Sequence, residues 1–342
     1  MGSSPRNPRL GLLWTNGRLI ELERNQPGGD VRPEGINDRG QVIGTEYPDW
    51  DGRVGVATRW DQGVPHPLGP FAEGGSCGVA INNLGQALVI SRSVPPDPSR
   101  PDVFAPYDQM HLVPPRGGPA IRIRPPAGAR SFSYDFGIND RGQILGDYAT
   151  GSAGYYFFWD RGRTIDLSSL GNNSSWTSAT GPNRRGQITG MATRRAFLWQ
   201  HGKLTVLGPE GAYSRGRALN NRGDVVGYVS VSRDSRPYLW SDGRALELPV
   251  PGQVPATALD VNDRREVVGH SEFHGTTKPR AYLWRDGEPI DLGVPPGHDL
   301  SRAEFISERG DILGHADHEF SGSLSPRVPP LPERRIFHWT VD

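Results

Sequence analysis

The stretch INDRGQVIG, from Ile36 to Gly44, decides the fold, because the chain repeats it. It returns as INNLGQALV from Ile81, INDRGQILG from Ile138, PNRRGQITG from Pro182, LNNRGDVVG from Leu219, VNDRREVVG from Val261 and ISERGDILG from Ile306. The motif Asn falls at Asn37, Asn82, Asn139, Asn183, Asn220 and Asn262, and Ser307 replaces it in the last copy; successive spacings are 45, 57, 44, 37, 42 and 45 residues. Gly and Asx tolerate positive φ, so each Asn-Asx-Xaa-Gly segment reads as a tight turn between two short apolar strands.

A second motif alternates with the first. It reads aromatic-apolar-Trp, two residues, Gly, then a run ending in Leu, as in FFWDRGRTIDL from Phe157, FLWQHGKLTVL from Phe197, YLWSDGRALEL from Tyr238 and YLWRDGEPIDL from Tyr282. Trp14 and Trp60 open two further copies, and Val113 stands in the Trp place of HLVPPRGG. Each unit therefore holds four strands, and four strands per roughly 40–45 residues is the signature of a propeller blade. The expectation is an all-β chain: one seven-bladed β-propeller of four-stranded antiparallel blades spanning residues 1–342, with first strands ending near 37, 82, 139, 183, 220, 262 and 307. Arg18 to Leu22 is expected to close the last blade as its outer strand, beside the terminal fragment IFHWTVD. Trp159, Trp199, Trp240 and Trp284 are expected to fill the space between blades, where large apolar area is needed.

Units of the form AINDRGQVVG followed by AFLWDGG and DLG resemble the bacterial HAF repeat, and RAFLW from Arg195 and RAYLW from Arg280 match it best, without its His. The resemblance covers nearly the whole chain. It implies a propeller-like β fold in a family often described as extracellular, and it brings no family-wide catalytic motif.

Composition narrows the partners. The chain has 38 basic and 38 acidic residues, so a basic stripe for nucleic acid is not expected. No apolar run reaches membrane-spanning length, and the polar start from Met1 to Leu10 shows no export signal. A cytoplasmic monomer is the expectation, with an extracellular location the alternative for a trimmed precursor. Cys77 is the only cysteine, which excludes an intrachain disulfide and a thiolate cluster; it reads as a buried structural thiol. No Gly-Xaa-Ser-Xaa-Gly elbow and no dinucleotide or phosphate-loop glycine motif occurs.

Conventional propeller strand order places the Asx-Gly turns on one face and the variable second-to-third-strand loops on the other, where functional loops are expected. Two insertions lie there, Ser91 to Asp108 and Asp317 to Arg334, each readable as a lid or as disordered decoration. The main polar cluster follows the second strands. GHSEFH from Gly269 supplies His270, Glu272 and His274; GHADHEF from Gly314 supplies His315, Asp317, His318 and Glu319. Tyr228, Asp147, Met191 and Thr45 share the repeat position of His270 and His315, with Glu46 and Tyr148 next in sequence to two of them. Such groups transfer protons near neutral pH or bind a divalent metal, and solvated loop residues are the competing reading.

A second row lies on the first strands. Five residues before each motif Asn, or Ser307, stand Arg32, Cys77, Tyr134, Ser178, Arg215, Thr257 and Arg302; three before stand Glu34, Arg217 and Glu304 among apolar or small residues. Arginines there suit a carboxylate or phosphate, and Arg-Glu pairing in the first and last blades is the competing reading. The functional expectation is an enzyme that acts on a small anionic metabolite by non-redox acid-base chemistry of the lyase, cyclase or hydrolase type. His270 and His315 carry protons and Glu272 orients or acts as base. Arg32, Arg215 and Arg302 hold the anion, with Asp147, Tyr148, Glu46 and Tyr228 lining the site. No cofactor is expected, and a divalent metal is the alternative occupant of the histidine loops. The other class is a non-catalytic propeller that binds a protein or glycan; fold alone does not choose between them.

Overall fold

The computed structural model describes residues 12–15, 18–25, 30–48, 54–71, 74–93, 109–115, 118–132, 136–150, 153–169, 176–231, 234–272, 278–294, 299–310, 312–317 and 335–339. The greater part of both insertions and the side chain of His315 lie outside the described residues. The chain divides into two compact units, Met1–Ser169 and Leu170–Asp342. The first holds a hairpin and three sheets, numbered I (30–67), II (76–123) and III (137–166). The second holds sheets IV (176–206), V (213–247), VI (253–293) and VII (300–339).

Sheets I to VI are four-stranded antiparallel meanders and sheet VII has three strands, the strand order of β-propeller blades. Among the described residues the only helical element is a single 3-10 turn, Leu167–Ser169. No helix there is long and apolar enough to cross a membrane. Arg18–Glu21, expected as the outer strand of the last blade, pairs among the described residues with Leu12–Thr15 in a hairpin, and sheet VII has three strands there. Asn16-Gly17, a strong hairpin dipeptide, sits between those strands and favours the local pairing.

Trp60, Trp159, Trp199, Trp240 and Trp284 are all buried, as their repeat position requires. Cys77 is buried too, with the Tyr47 hydroxyl 3.9 Å from its sulfur.

The Asn-Asx turns do more than reverse the chain. Each motif Asn folds its own turn: Asn220 Oδ1 accepts from the backbone N–H groups of Arg222 and Asp224, and Asn37, Asn82, Asn139, Asn183 and Asn262 repeat the pattern. The Nδ2 group then reaches the next sheet. Within the first unit Asn37 donates to Asn82 O and Asn82 to Asn139 O; within the second, Asn183 donates to Asn220 O, Asn220 to Asn262 O and Asn262 to Ser307 O, at 2.7–3.1 Å. A parallel set runs through the following residue: the N–H groups of Asp38, Asn83, Arg184, Asn221 and Asp263 donate to Asn83, Asp140, Asn221, Asp263 and Glu308 side chains.

Four other positions bind neighbouring sheets. Ser76, Ser214 and Ser301 accept from the backbone N–H of Ala57, Ala196 and Ala281 in the preceding sheet. Arg185, Arg222 and Arg264, on the Asx turns, donate to carbonyls of the following sheet. The degenerate copy VNDRREVVG has Arg265 where Gly normally stands, at φ 65°. That strained residue is repaid by ion pairs to Asp224 and Asp242 of sheet V, each at 2.9 Å. Asp260 makes the last link: its carboxylate accepts from Val261 N and, across to sheet VII, from Ile306 N. Burial drives its pKa up to about 6, the two backbone donors oppose this, and the nearby Glu308 charge adds to it.

Three measurements test this scheme by chemical denaturation. Asn220→Ala removes one side chain that serves two sheets, strands buried N–H groups, and should cost roughly 2–4 kcal/mol; a loss below about 0.5 kcal/mol would show the latch to be dispensable. Trp240→Ala should cost about 3–5 kcal/mol by cavity formation, and a loss under about 1 kcal/mol would contradict tight packing there. For Asp260 the folded-state pKa is raised, so its contribution is fully present below the unfolded pKa and is lost as pH rises through about 6. The stability of the parent relative to Asp260→Asn should therefore fall by on the order of 2–3 kcal/mol between pH 4 and pH 7; a pH-independent difference would mean that Asp260 is ionised throughout.

Candidate functional site

Alternation along the first strands sorts their side chains. In sheet V, Ser214 faces sheet IV through its bond to Ala196 N. Tyr213 and Arg215 therefore lie on the opposite face. Strand Tyr213–Leu219 then carries a bulge between Gly216 and Ala218, which makes Arg217 the extra residue. Sheets I, II, VI and VII have the same bulge, with Glu34, Val79, Leu259 and Glu304 as the extra residues. A bulge re-aims a side chain out of the ladder, which explains why charged residues are tolerated three positions before the motif Asn.

Strand register joins two rows that look separate in the sequence. Arg215 is directly opposite Tyr228, Thr257 opposite His270, and Arg302 opposite His315; in the first unit Arg32 is opposite Thr45. Directly paired residues share a sheet face with Cβ atoms about 5 Å apart. The first strands of sheets V, VI and VII neighbour one another. The second unit thus carries Arg215–Tyr228, Thr257–His270 and Arg302–His315 as cross-strand pairs at one register position of three successive sheets.

These positions lie within strands and not, as expected, in the loops beyond them. His270 and Glu272 belong to Val267–Glu272 and are half-buried. His315 belongs to Ile312–Asp317, paired with Arg302 and Ile336; His274, His318 and Glu319 lie outside the described residues. Among the described residues no three His, Cys, Asp or Glu side chains form a group that could hold a metal ion.

The first-unit candidates are engaged internally. Glu46 is buried and accepts from Asn25 N at 2.7 Å and Asn25 Nδ2 at 2.6 Å. Tyr148 is buried, its hydroxyl donates to Asp166 at 3.0 Å, and its pKa is pushed up to about 12, chiefly by burial. Asp147 is half-buried opposite Tyr156. Arg32 lies over the Tyr47 ring, 4.4 Å from its centroid, and pairs with Asp30 at 3.7 Å, while its charge also acts on Glu34.

The second-unit arginines differ. Arg215, Arg217 and Arg302 are half-buried, and each has a buried Nε without an acceptor. None forms an ion pair among the described residues. Tyr213 completes this cluster: its ring stacks with Tyr228, centroids 6.1 Å apart, and burial, with the Tyr228 phenol beside it, raises its pKa. Arg194, from the turn before the third strand of sheet IV, lies 5.9 Å from the Tyr213 ring centroid. Nothing in the repeat pattern singles out Tyr213 or Arg194. The only signals are the i, i+2 spacing of Tyr213, Arg215 and Arg217 and the missing glycine in the turn at Thr193-Arg194.

No family model matches the chain, and no curated relative matches it. Among solved structures it is similar to a puromycin-hydrolysing peptidase of Mycobacterium tuberculosis, with TM-score 0.51 and 13% identity over 90% of this chain and 50% of that one. It is also similar to the β-propeller domain of the Trilobed protease from Pyrococcus furiosus, with TM-score 0.53 and 8% identity over 91% and 93% of the two chains. The chain spans half the length of the first of these. At such identities the likeness shows the fold: the chain is built as a β-propeller.

Proposed function

We propose that the protein is an enzyme that binds a small anionic metabolite on sheets V to VII and acts on it by non-redox acid-base chemistry of the lyase, cyclase or hydrolase type. The observation that carries this reading is the register. In sheets V and VII a half-buried arginine without a carboxylate partner among the described residues stands directly across from Tyr228 or His315, and sheet VI places His270 in the same row. Arg215 and Arg302 would hold the anion by charge-assisted bonds. His270, opposite Thr257, would take a proton from the substrate or return it, and Glu272, two residues along the same strand, would orient the imidazole or act as base. His315 would be the second proton carrier. The repeat supports two companion proposals: seven blades, one for each Asn-Asx copy, and membership of the HAF-repeat family.

The test is turnover of a panel of carboxylate esters, phosphate monoesters and hydroxy-dicarboxylates by the parent and by His270→Ala. Loss of general acid-base help should lower turnover roughly 10²–10⁴-fold while the melting temperature stays within about 2 °C, since one partly exposed imidazole carries little packing. A His270→Ala/His315→Ala double variant that works like the parent would move the proton carriers elsewhere. Anion binding without turnover of any panel member would favour the binding propeller.

A further inference from the structure

Two positions on the first strands, five and three residues before the motif Asn or Ser307, carry Arg32 and Glu34 in sheet I and Arg302 and Glu304 in sheet VII. In sheet V the same positions carry Arg215 and Arg217. A second guanidinium replaces the carboxylate. No ion pair is formed by either guanidinium among the described residues, and the Nε of each is sealed from solvent without an acceptor. Burial, and then the Arg215 charge, holds the Arg217 guanidinium below its ordinary pKa. Half-burying two like charges with no counter-charge is destabilising, so the fold alone gives no reason for this pair.

A strained turn aims a third cation at the same place. Thr193 and Arg194 have φ of 48° and 65°. The other two-residue hairpin turns with this backbone among the described residues, at Gln62, Arg161, His201, Asp242 and Asp286, all have Gly second. A β-branched residue followed by Arg in the left-handed region is strained. The turn is pinned to the first strand of sheet V, where Ser214 N donates to Arg194 O at 2.9 Å, and the Arg194 guanidinium lies over Tyr213.

We propose that Arg194, Arg215, Arg217, Tyr213 and Tyr228 form a binding site for the phosphoryl group of a small molecule. The proposal deepens the small-anion reading by naming the chemical class. Arg215 and Tyr228 are cross-strand partners, Tyr213 stacks on Tyr228, Arg194 lies over Tyr213, and Arg217 is near enough for Arg215, Tyr213 and Tyr228 to act on its charge, so three guanidinium groups and two phenols surround a volume suited to one group with several oxygens on a single atom. A phosphoryl dianion accepts from all of them, and guanidinium forks match its oxygen pairs. Two separated carboxylates would need cations spread further apart.

The test is calorimetric titration and thermal melting of the full chain with inorganic phosphate, and with succinate and acetate at matched ionic strength. Phosphate should bind saturably and more tightly than either carboxylate. Arg217→Met should weaken phosphate binding at least tenfold and raise the melting temperature of the ligand-free protein, because an uncompensated charge is gone. Arg194→Gly should also weaken phosphate binding and raise that temperature by relaxing the turn; if Arg217→Met fails to fold, this exposed-turn variant decides alone. Absent phosphate saturation, tighter succinate binding, or parental phosphate affinity in the Arg194→Gly variant would overturn the proposal. Phosphate binding with turnover insensitive to His270 would sink only the acid-base reading; turnover dependent on His270 without phosphate binding would sink only this one.

Discussion

The structure depends on one hydrogen bond repeated from sheet to sheet, from the Nδ2 of a buried asparagine to the backbone carbonyl of its counterpart in the next sheet. Asparagine is the side chain that can do this and fold its own turn at once. Its Oδ1 accepts two backbone N–H groups of the turn, which leaves the amide nitrogen free to donate outward. Aspartate would keep the turn and lose the link. Ser307 stands in the Asn place of the last copy: its Oγ accepts from Arg309 N, and its carbonyl receives the link from Asn262. Buried amides of this kind are costly unless every donor and acceptor is matched, so the turn and the link stand or fall together.

That arrangement separates the two ends of the sheets chemically. At the Asx-turn end, arginines are absorbed by structure: Arg185, Arg222 and Arg264 strap to carbonyls of the following sheet, and Arg265 to Asp224 and Asp242. The same residue type in the middle of the first strands, at Arg215, Arg217 and Arg302, has no such employment among the described residues. An arginine-rich sequence with zero net charge thus hides two populations, one used to hold the fold and one left with unspent charge. Only the second invites a ligand.

The fold was legible in the sequence because its signals are local. A tight turn needs Gly or Asx at fixed places, and a blade interface needs a large aromatic residue at one register position. Trp159, Trp199, Trp240 and Trp284 are buried as expected, and Trp60 is buried as well. The Leu12–Glu21 hairpin is less legible, because a terminal strand can pair locally or with a distant sheet and the only local signal for the former is the Asn16-Gly17 dipeptide. The site was half legible. Counting back from the motif Asn found Arg215 and Arg302, and counting forward found Tyr228, His270 and His315, but that these are cross-strand partners is a matter of register. Glu46 and Tyr148 looked available by repeat position, yet their carboxylate and phenol are satisfied by Asn25 and Asp166, contacts that no spacing rule encodes.

The bulge gives the clearest view of how a repeat acquires a function. Five first strands set one residue outside the ladder at the same place, and that residue is free to vary because no ladder bond depends on it: Glu34, Val79, Arg217, Leu259 and Glu304. Where the neighbouring position is Arg32 or Arg302, the bulge residue is a glutamate, so those strands carry opposite charges at the two positions. Sheet V breaks that pattern with Arg217 beside Arg215. The Asn latch, the serine link and the buried Trp240 are all retained in sheet V, so the like-charge pair is carried by a blade whose other links are intact. Stability given up at one bulge is tolerable because several independent links hold the same sheet in place, and a site that attracts an anion needs its positive charge to be uncompensated before the ligand arrives.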